Sequence, residues 1–201
     1  MASRVPVYSM SVEEYLEAEK AASVRHEYVA GQIYAMAGAS DAHNTIAGNF
    51  FALLKSKLRG GPCRTYISDM KVWIEAAGVF YYPDVMVTCD PKDDGEYTKT
   101  RPSLIIEVTS PSTTVTDHRE KLLAYRKIAS LREYVMITQH EMKVEIYRLD
   151  SRGYWWLETY GPEHSFKLES VDMEIAVKDL YEDVVLVPWP ANWPEPPTNP
   201  V

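Results

Sequence analysis

The sequence predicts an α/β (α+β) fold for a single domain over residues 1–187, followed by a proline-rich arm over 188–201. Three observations carry that expectation. Apolar residues recur at helical spacing in two separated stretches. Between and after them lie short runs rich in Val, Ile, Tyr and Thr, bounded by Gly, Pro and Asp, which read as strands. A chain of 201 residues with 46% hydrophobic composition is also large enough to enclose a core.

Taken in order, Val12 to Ala22 reads as a short acidic helix opened by Ser11, with Glu14 completing a capping box. Arg25 to Tyr34 reads as two short strands turning near Gly31. From Asp41, the residues His43, Ile46, Ala47, Phe50, Leu54 and Leu58 follow helical spacing until Gly60-Gly61-Pro62 ends the pattern. Thr65 to Ile74 and Val79 to Thr88 are strand-like, and Ala76-Ala77-Gly78 between them makes a hairpin. Residues 90–102 form a polar loop. Ser103 to Thr109 is almost continuously apolar, as a strand covered on both faces must be. A second helix is expected over about Thr116 to Ala129, capped by Thr114 or Thr116. Tyr134–Thr138, Val144–Leu149 and Tyr154–Thr159 are three further strands, and Val177–Leu180 is a helical turn. The prolines at 188, 190, 194, 196, 197 and 200 exclude helix and central strand from the tail, leaving an extended arm.

The net charge of -8 argues against a broad basic footprint for nucleic acid. Its distribution is uneven. Residues 1–132 hold 16 of the 21 basic and 16 of the 29 acidic side chains, so the excess belongs to the C-terminal third. Within the neutral part, Lys55, Lys57, Arg59, Arg64 and Lys71 form one basic stretch, and Arg119, Lys121, Arg126, Lys127 and Arg132 another; either can be a solvated face. No apolar run spans a bilayer and no basic-then-hydrophobic segment opens the chain, so a cytoplasmic address is expected. Cys63 and Cys89 lie outside any C-x-x-C pattern, within strand-like sequence, and are expected as buried free thiols.

Three charged residues stand where the pattern calls for apolar ones, and an ionised group there is costly unless paired or metal-bound. Asp84 follows Pro83 in the otherwise hydrophobic run Phe80 to Val87. Glu107 interrupts Leu104 to Val108, sharing one strand face with Ile105 and Thr109. On the second helix, steps of about 100° per residue put Lys121 near the centre of the arc formed by Leu122, Ala124, Tyr125, Ile128 and Ala129. Lys121 therefore points inward and needs a buried anion, which the two strand carboxylates supply. Asp117 and Tyr125 fall on the same stripe, one turn to either side.

Pro83-Asp84, then Glu107-Val108-Thr109, then Lys121-x-x-x-Tyr125 resemble the PD-(D/E)XK nuclease superfamily, and most closely its branch of small stand-alone restriction-endonuclease-like proteins. Glu27 to Gly31, His43 at the start of the first long helix, Glu107 to Thr113 followed by Asp117 and Lys121, and Glu133-Tyr134 add to the likeness, which runs from about Glu27 to Leu180. The resemblance implies a restriction-endonuclease-like fold: a mixed central sheet flanked by helices, here with extra N-terminal and C-terminal strands. It also implies Mg2+ or Mn2+ held by Asp84, Glu107 and the Val108 carbonyl, with a lysine to position or deprotonate the attacking water. The sequence departs from the superfamily at Thr109, where that lysine belongs. Lys121 is the replacement, moved from strand to helix.

Each residue also has a plainer reading. Asp84 after Pro83 is a common turn residue. Asp84, Glu107 and Lys121 can form a metal-free salt bridge. His43 is either a hydrogen-bonded core histidine or a contact to phosphate or metal-bound water. Glu27 either joins the outer shell of the metal or pairs with Arg25 or Lys20, and Tyr125 is either core or an orienter of Lys121. Trp155, Trp156, Trp189 and Trp193 are expected in packing or a subunit interface. The expected function is a Mg2+-dependent endonuclease hydrolysing phosphodiester bonds in DNA, acting as a homodimer or higher homo-oligomer because two strands are met by two symmetric sites. The alternative is a catalytically inactive nucleic-acid- or protein-binding descendant of the fold, which Thr109 and the net charge would suit. A third possibility is a nuclease acting on small or damaged substrates through a partner that supplies the basic surface.

Overall fold

The computed structural model describes residues 9–109 and 117–187. The 188–201 arm, the caps expected at Thr114 or Thr116, and the side chain of Asp117 lie outside the described residues. The elements run α1 (Val12–Ala21), β1 (His26–Val29), β2 (Gln32–Ala35), α2 (Asp41–Lys57), β3 (Arg64–Ile67), β4 (Lys71–Ile74), β5 (Val79–Tyr81), β6 (Val85–Thr88), β7 (Thr98–Lys99) and β8 (Pro102–Thr109). A π-helical stretch Asp117–Lys121 then leads into α3 (Leu122–Tyr125), β9 (Glu133–Thr138), β10 (Val144–Leu149), β11 (Trp155–Tyr160), β12 (Ser165–Leu168), β13 (Met173–Ala176) and α4 (Val177–Leu180). The result is a mixed α+β architecture.

Local signals account for the early elements. Ser11 accepts from the Glu14 amide while the Glu14 carboxylate accepts from the Ser11 amide, the reciprocal box the sequence predicts for α1. The β1–β2 turn needs positive φ at both central residues, which Ala30 at 48° and Gly31 at 91° supply. A Cβ on Gly31 would come within 2.0 Å of the Ser9 hydroxyl, so glycine is required there twice over.

Two sheets carry the fold. One has the order β2-β1-β5-β4-β7, and the larger has the order β11-β10-β9-β8-β6-β3. The larger sheet is mixed because β8 runs parallel to β9 while its other pairings are antiparallel. The two long strands expected over Thr65–Ile74 and Val79–Thr88 are each divided in two. Their inner halves, β4 and β5, make the expected hairpin in the smaller sheet, whereas β3 and β6 pair in the larger one. The breaks have local causes. Ser68 takes φ 54°, and Pro83 removes a ladder donor and restricts Tyr82. The Ser68 amide donates to the Asp84 carbonyl at 2.9 Å, stitching the two crossings together. Asp84 thus sits at the corner where the chain passes between sheets.

Both faces of the larger sheet are covered, which explains the unbroken apolar run of β8. Ile46, Ala47, Phe50 and Leu54 of α2 pack on one face against Val85, Val87, Leu104, Ile106 and Val108. The opposite face, with Met86, Ile105, Tyr134 and Met136, meets Val72, Val79 and Tyr81 of the smaller sheet and Ala124 and Tyr125 of α3. Fully burying a side chain such as Phe50 contributes roughly 1.5–3 kcal/mol. The smaller sheet's outer face is closed by α1 through Tyr15 against Tyr28 and Phe80. The second helix is shorter than its periodicity predicts, with the π-helical turn occupying its first part. The β12–β13 hairpin is an addition, too short and too polar to register as strands by pattern.

Cys63 and Cys89 correct the expectation of free thiols: they form a disulfide across a separation of 26 residues, Cα to Cα 4.0 Å. Arg64 opposes Thr88 in the β3–β6 ladder, so the next pair outward is Cys63 and Cys89, a proximity invisible until β3 and β6 are known to be partners. Closing a loop of this length stabilises by about 3 kcal/mol in the chain-entropy account. A Cys63→Ser, Cys89→Ser double variant, or the wild type in reductant, is expected to melt roughly 6–12 °C lower by calorimetry. Unchanged melting in reductant would return both cysteines to free thiols.

Candidate metal centre

The corner at Asp84, the middle of β8 and the helical segment after residue 116 meet at one place. Glu107 is 3% exposed, and its Oε1 accepts from the Lys121 Nζ at 3.2 Å and from the Tyr125 hydroxyl at 2.6 Å. Lys121, 7% exposed, also reaches Glu27 Oε1 at 3.1 Å and lies over the Tyr81 ring, 5.5 Å from its centroid. The inward phase read from the helical pattern is the orientation found. Asp84 Oδ2 accepts from the Val108 amide at 2.7 Å and shares a 3.0 Å hydrogen bond with His43 Nε2. The Val108 amide thus fixes Asp84 beside the strand residue that follows Glu107.

The plainer alternatives separate here. Glu27 is bound to Lys121, while Arg25 lies 3.5 Å from Asp69 and Lys20 pairs with Glu17 at 2.6 Å. His43 holds Asp84, and Tyr125 is both core and a hydrogen-bond donor to Glu107. Burial, reinforced by the Glu107 charge, raises the Tyr125 phenol well above its ordinary range; burial and Glu27 push Tyr81 up to about 12. Both phenols therefore stay protonated, Tyr125 as a donor to Glu107 and Tyr81 as a packing surface. Thr109 is buried, its hydroxyl donating to the Ile137 carbonyl at 3.4 Å, so the short side chain is used up within the β8–β9 pair.

Sequence reasoning missed the fastening of α2. Ser40 caps that helix by accepting from the His43 amide at 3.1 Å, and its hydroxyl donates to Gln139 Oε1. Gln139, just beyond β9, donates its own amide to the Thr109 carbonyl at 3.4 Å. A chain of contacts therefore runs from the β8–β9 ladder through Gln139 and Ser40 to His43 and Asp84. The serine before Asp41 was the available cap signal.

The profile of the Uma2 family, described as "Putative restriction endonuclease", matches residues 12–178. The chain belongs to the Uma2 family. Uncharacterized protein slr1290 of Synechocystis sp. is 34% identical over 177 residues, covering 88% of this chain and 93% of that one. A second Synechocystis protein, the uncharacterized sll1609, is 36% identical over 151 residues, covering 74% of this chain and 85% of that one. Among solved structures, a "putative nuclease belonging to DUF820" from Anabaena variabilis superposes with TM-score 0.72 at 17% identity, covering 88% of this chain and 99% of that one. The fold is accordingly restriction-endonuclease-like, and the Uma2 membership groups the protein with nucleases. No helix among the described residues is long and apolar enough to cross a membrane.

The donor chemistry fits the divalent ion such nucleases use. Asp84, Glu107 and the Val108 carbonyl are all hard oxygen donors, and Val108 ties two of them together through its own amide. Among the described residues no three His, Cys, Asp or Glu side chains form a protein-only cage. Mg2+ does not need one, because it is commonly held by one or two carboxylates with waters and substrate phosphate completing its shell.

Proposed function

We propose that this Uma2 protein is a Mg2+-dependent endonuclease that hydrolyses phosphodiester bonds in DNA. The observation that supports it most is Lys121, delivered from the helix onto Glu107 at 3.2 Å, next to the Val108 backbone that holds Asp84. This substitutes for a lysine at Thr109. Asp84, Glu107 and the Val108 carbonyl would hold the ion. When bound, Mg2+ supplies charge stabilisation for the phosphoryl oxygens and a more acidic water.

The chain's own residues do the positioning. Hydrogen bonds from Val108 and His43 fix the Asp84 carboxylate, and Tyr125 and Lys121 do the same for Glu107. Lys121, held by two carboxylates from different sheets, places a cation beside the scissile phosphate, where it offsets charge and orients the attacking water. A homodimer would present two such centres.

Purified protein with Mg2+ or Mn2+ is expected to nick supercoiled plasmid, and Asp84→Ala to lower the rate by at least about 10²-fold, as loss of a metal ligand does. Absence of nicking with either ion across a range of salt, or full activity of Asp84→Ala, would overturn the reading.

A further inference from the structure

The registers of the smaller sheet set an exposed aromatic ring beside the metal centre. Tyr28 opposes Phe80, and both face α1, so their neighbours Glu27 and Tyr81 face the opposite way, toward Lys121. Glu27 in turn opposes Tyr34 of β2. Directly opposed residues of an antiparallel pair project from the same face with Cβ atoms about 4.5–5.5 Å apart. Tyr34, Glu27 and Tyr81 thus form one row across three strands, with Lys121 above its inner part. Tyr81 is buried, whereas Tyr34 is 55% exposed on the edge strand. Among the described residues no strand lies beyond β2, and more than half of the Tyr34 side chain is exposed to an approaching group.

We infer that Tyr34 is a stacking platform for an unpaired nucleobase next to the scissile phosphodiester, which makes locally single-stranded DNA, such as a flap, frayed end or bubble, the preferred substrate. The inference rests on the nuclease reading for its phosphodiester and deepens it by naming the substrate class. Two arguments converge on it. The residues that carry the site, 1–132, balance 16 basic against 16 acidic side chains, so sequence-independent phosphate neutralisation is modest and contacts that are not ionic add to affinity. Base–aromatic stacking is such a contact, and it needs a base face that an intact duplex keeps covered by the neighbouring pairs. The tyrosine's position on a strand, one residue across from Glu27, fixes the platform relative to the carboxylates.

The test is binding in Ca2+, without turnover, of a 2-aminopurine-containing single-stranded oligonucleotide and of the same sequence as a blunt duplex. The wild type is expected to quench 2-aminopurine and to bind the single strand at least tenfold more tightly than the duplex. Tyr34→Ala is expected to weaken single-strand binding about ten- to a hundredfold, while Tyr34→Phe and Tyr34→Trp retain it. In cleavage, Tyr34→Ala should raise KM and leave kcat nearly unchanged. Equal binding by wild type and Tyr34→Ala, or equal affinity for duplex and single strand, overturns the inference. The two readings fail separately: a protein that never nicks but still loses single-strand affinity in Tyr34→Ala loses only the hydrolase, and a nicking protein with unchanged Tyr34→Ala binding loses only the platform.

Discussion

Replacing Lys121 with methionine is expected to reduce plasmid nicking by roughly 10²–10⁴-fold, the range for loss of a positioned proton-transfer or charge-stabilising group. Methionine keeps most of the stem against Tyr81 and removes the amine from Glu107 and Glu27. The same change leaves two largely buried carboxylates without their shared cation, and breaking such a pair costs about 3–5 kcal/mol. That cost gives a second readout. Mn2+ should raise the melting temperature of Lys121→Met more than that of the wild type, because a bound cation takes over part of the lost neutralisation. Lys121→Met nicking at the wild-type rate would remove the lysine from the mechanism, and a melting temperature indifferent to Mn2+ in both proteins would remove the ion.

Lys121 was legible because two independent constraints pointed at it. The residues from Lys121 to Tyr125 span one helical turn, so their shared face survives even though the segment before Leu122 is π-helical. Glu107 was legible for a similar reason: it breaks an apolar run long enough to be a strand covered on both faces. Glu27 stands out in the sequence without a role, since its partner lies 94 residues away on another element and meets it only once the smaller sheet folds against α3. The same ignorance of sheet order hid the disulfide and the division of the long hairpin. Alternation reveals which face a residue occupies, but Thr65 to Ile74 reads as one strand whether it stays in one sheet or bends into another. Ser68 has no sequence mark for its positive φ, whereas Pro83 marks the break in the second run directly.

Glu133→Ala is the change expected to cost most in stability while sparing the chemistry. Glu133 is 1% exposed, and its carboxylate accepts from Arg148, from the Glu169 amide at 3.1 Å, from the Ser170 amide at 2.9 Å and from the Ser170 hydroxyl. It therefore ties the turn between β12 and β13 to the middle of the larger sheet. Truncation leaves a largely buried guanidinium short of its inner carboxylate and two amides short of an acceptor, at about 3–5 kcal/mol. Melting should fall by roughly 6–20 °C. Glu133→Gln keeps one acceptor oxygen but turns a donor toward donors, so it should fall between alanine and wild type. Glu133 opposes Leu104, three residues before Glu107 on β8, which places it about 10 Å along the strand from that proposed metal ligand. Nicking per folded molecule, measured well below the lowered melting point, should stay within about twofold of wild type. A large rate loss there would mean that the β12–β13 hairpin reaches the site through the β8–β9 pair. A small stability loss would mean that the Glu133 cluster is solvated in solution and holds the hairpin only weakly.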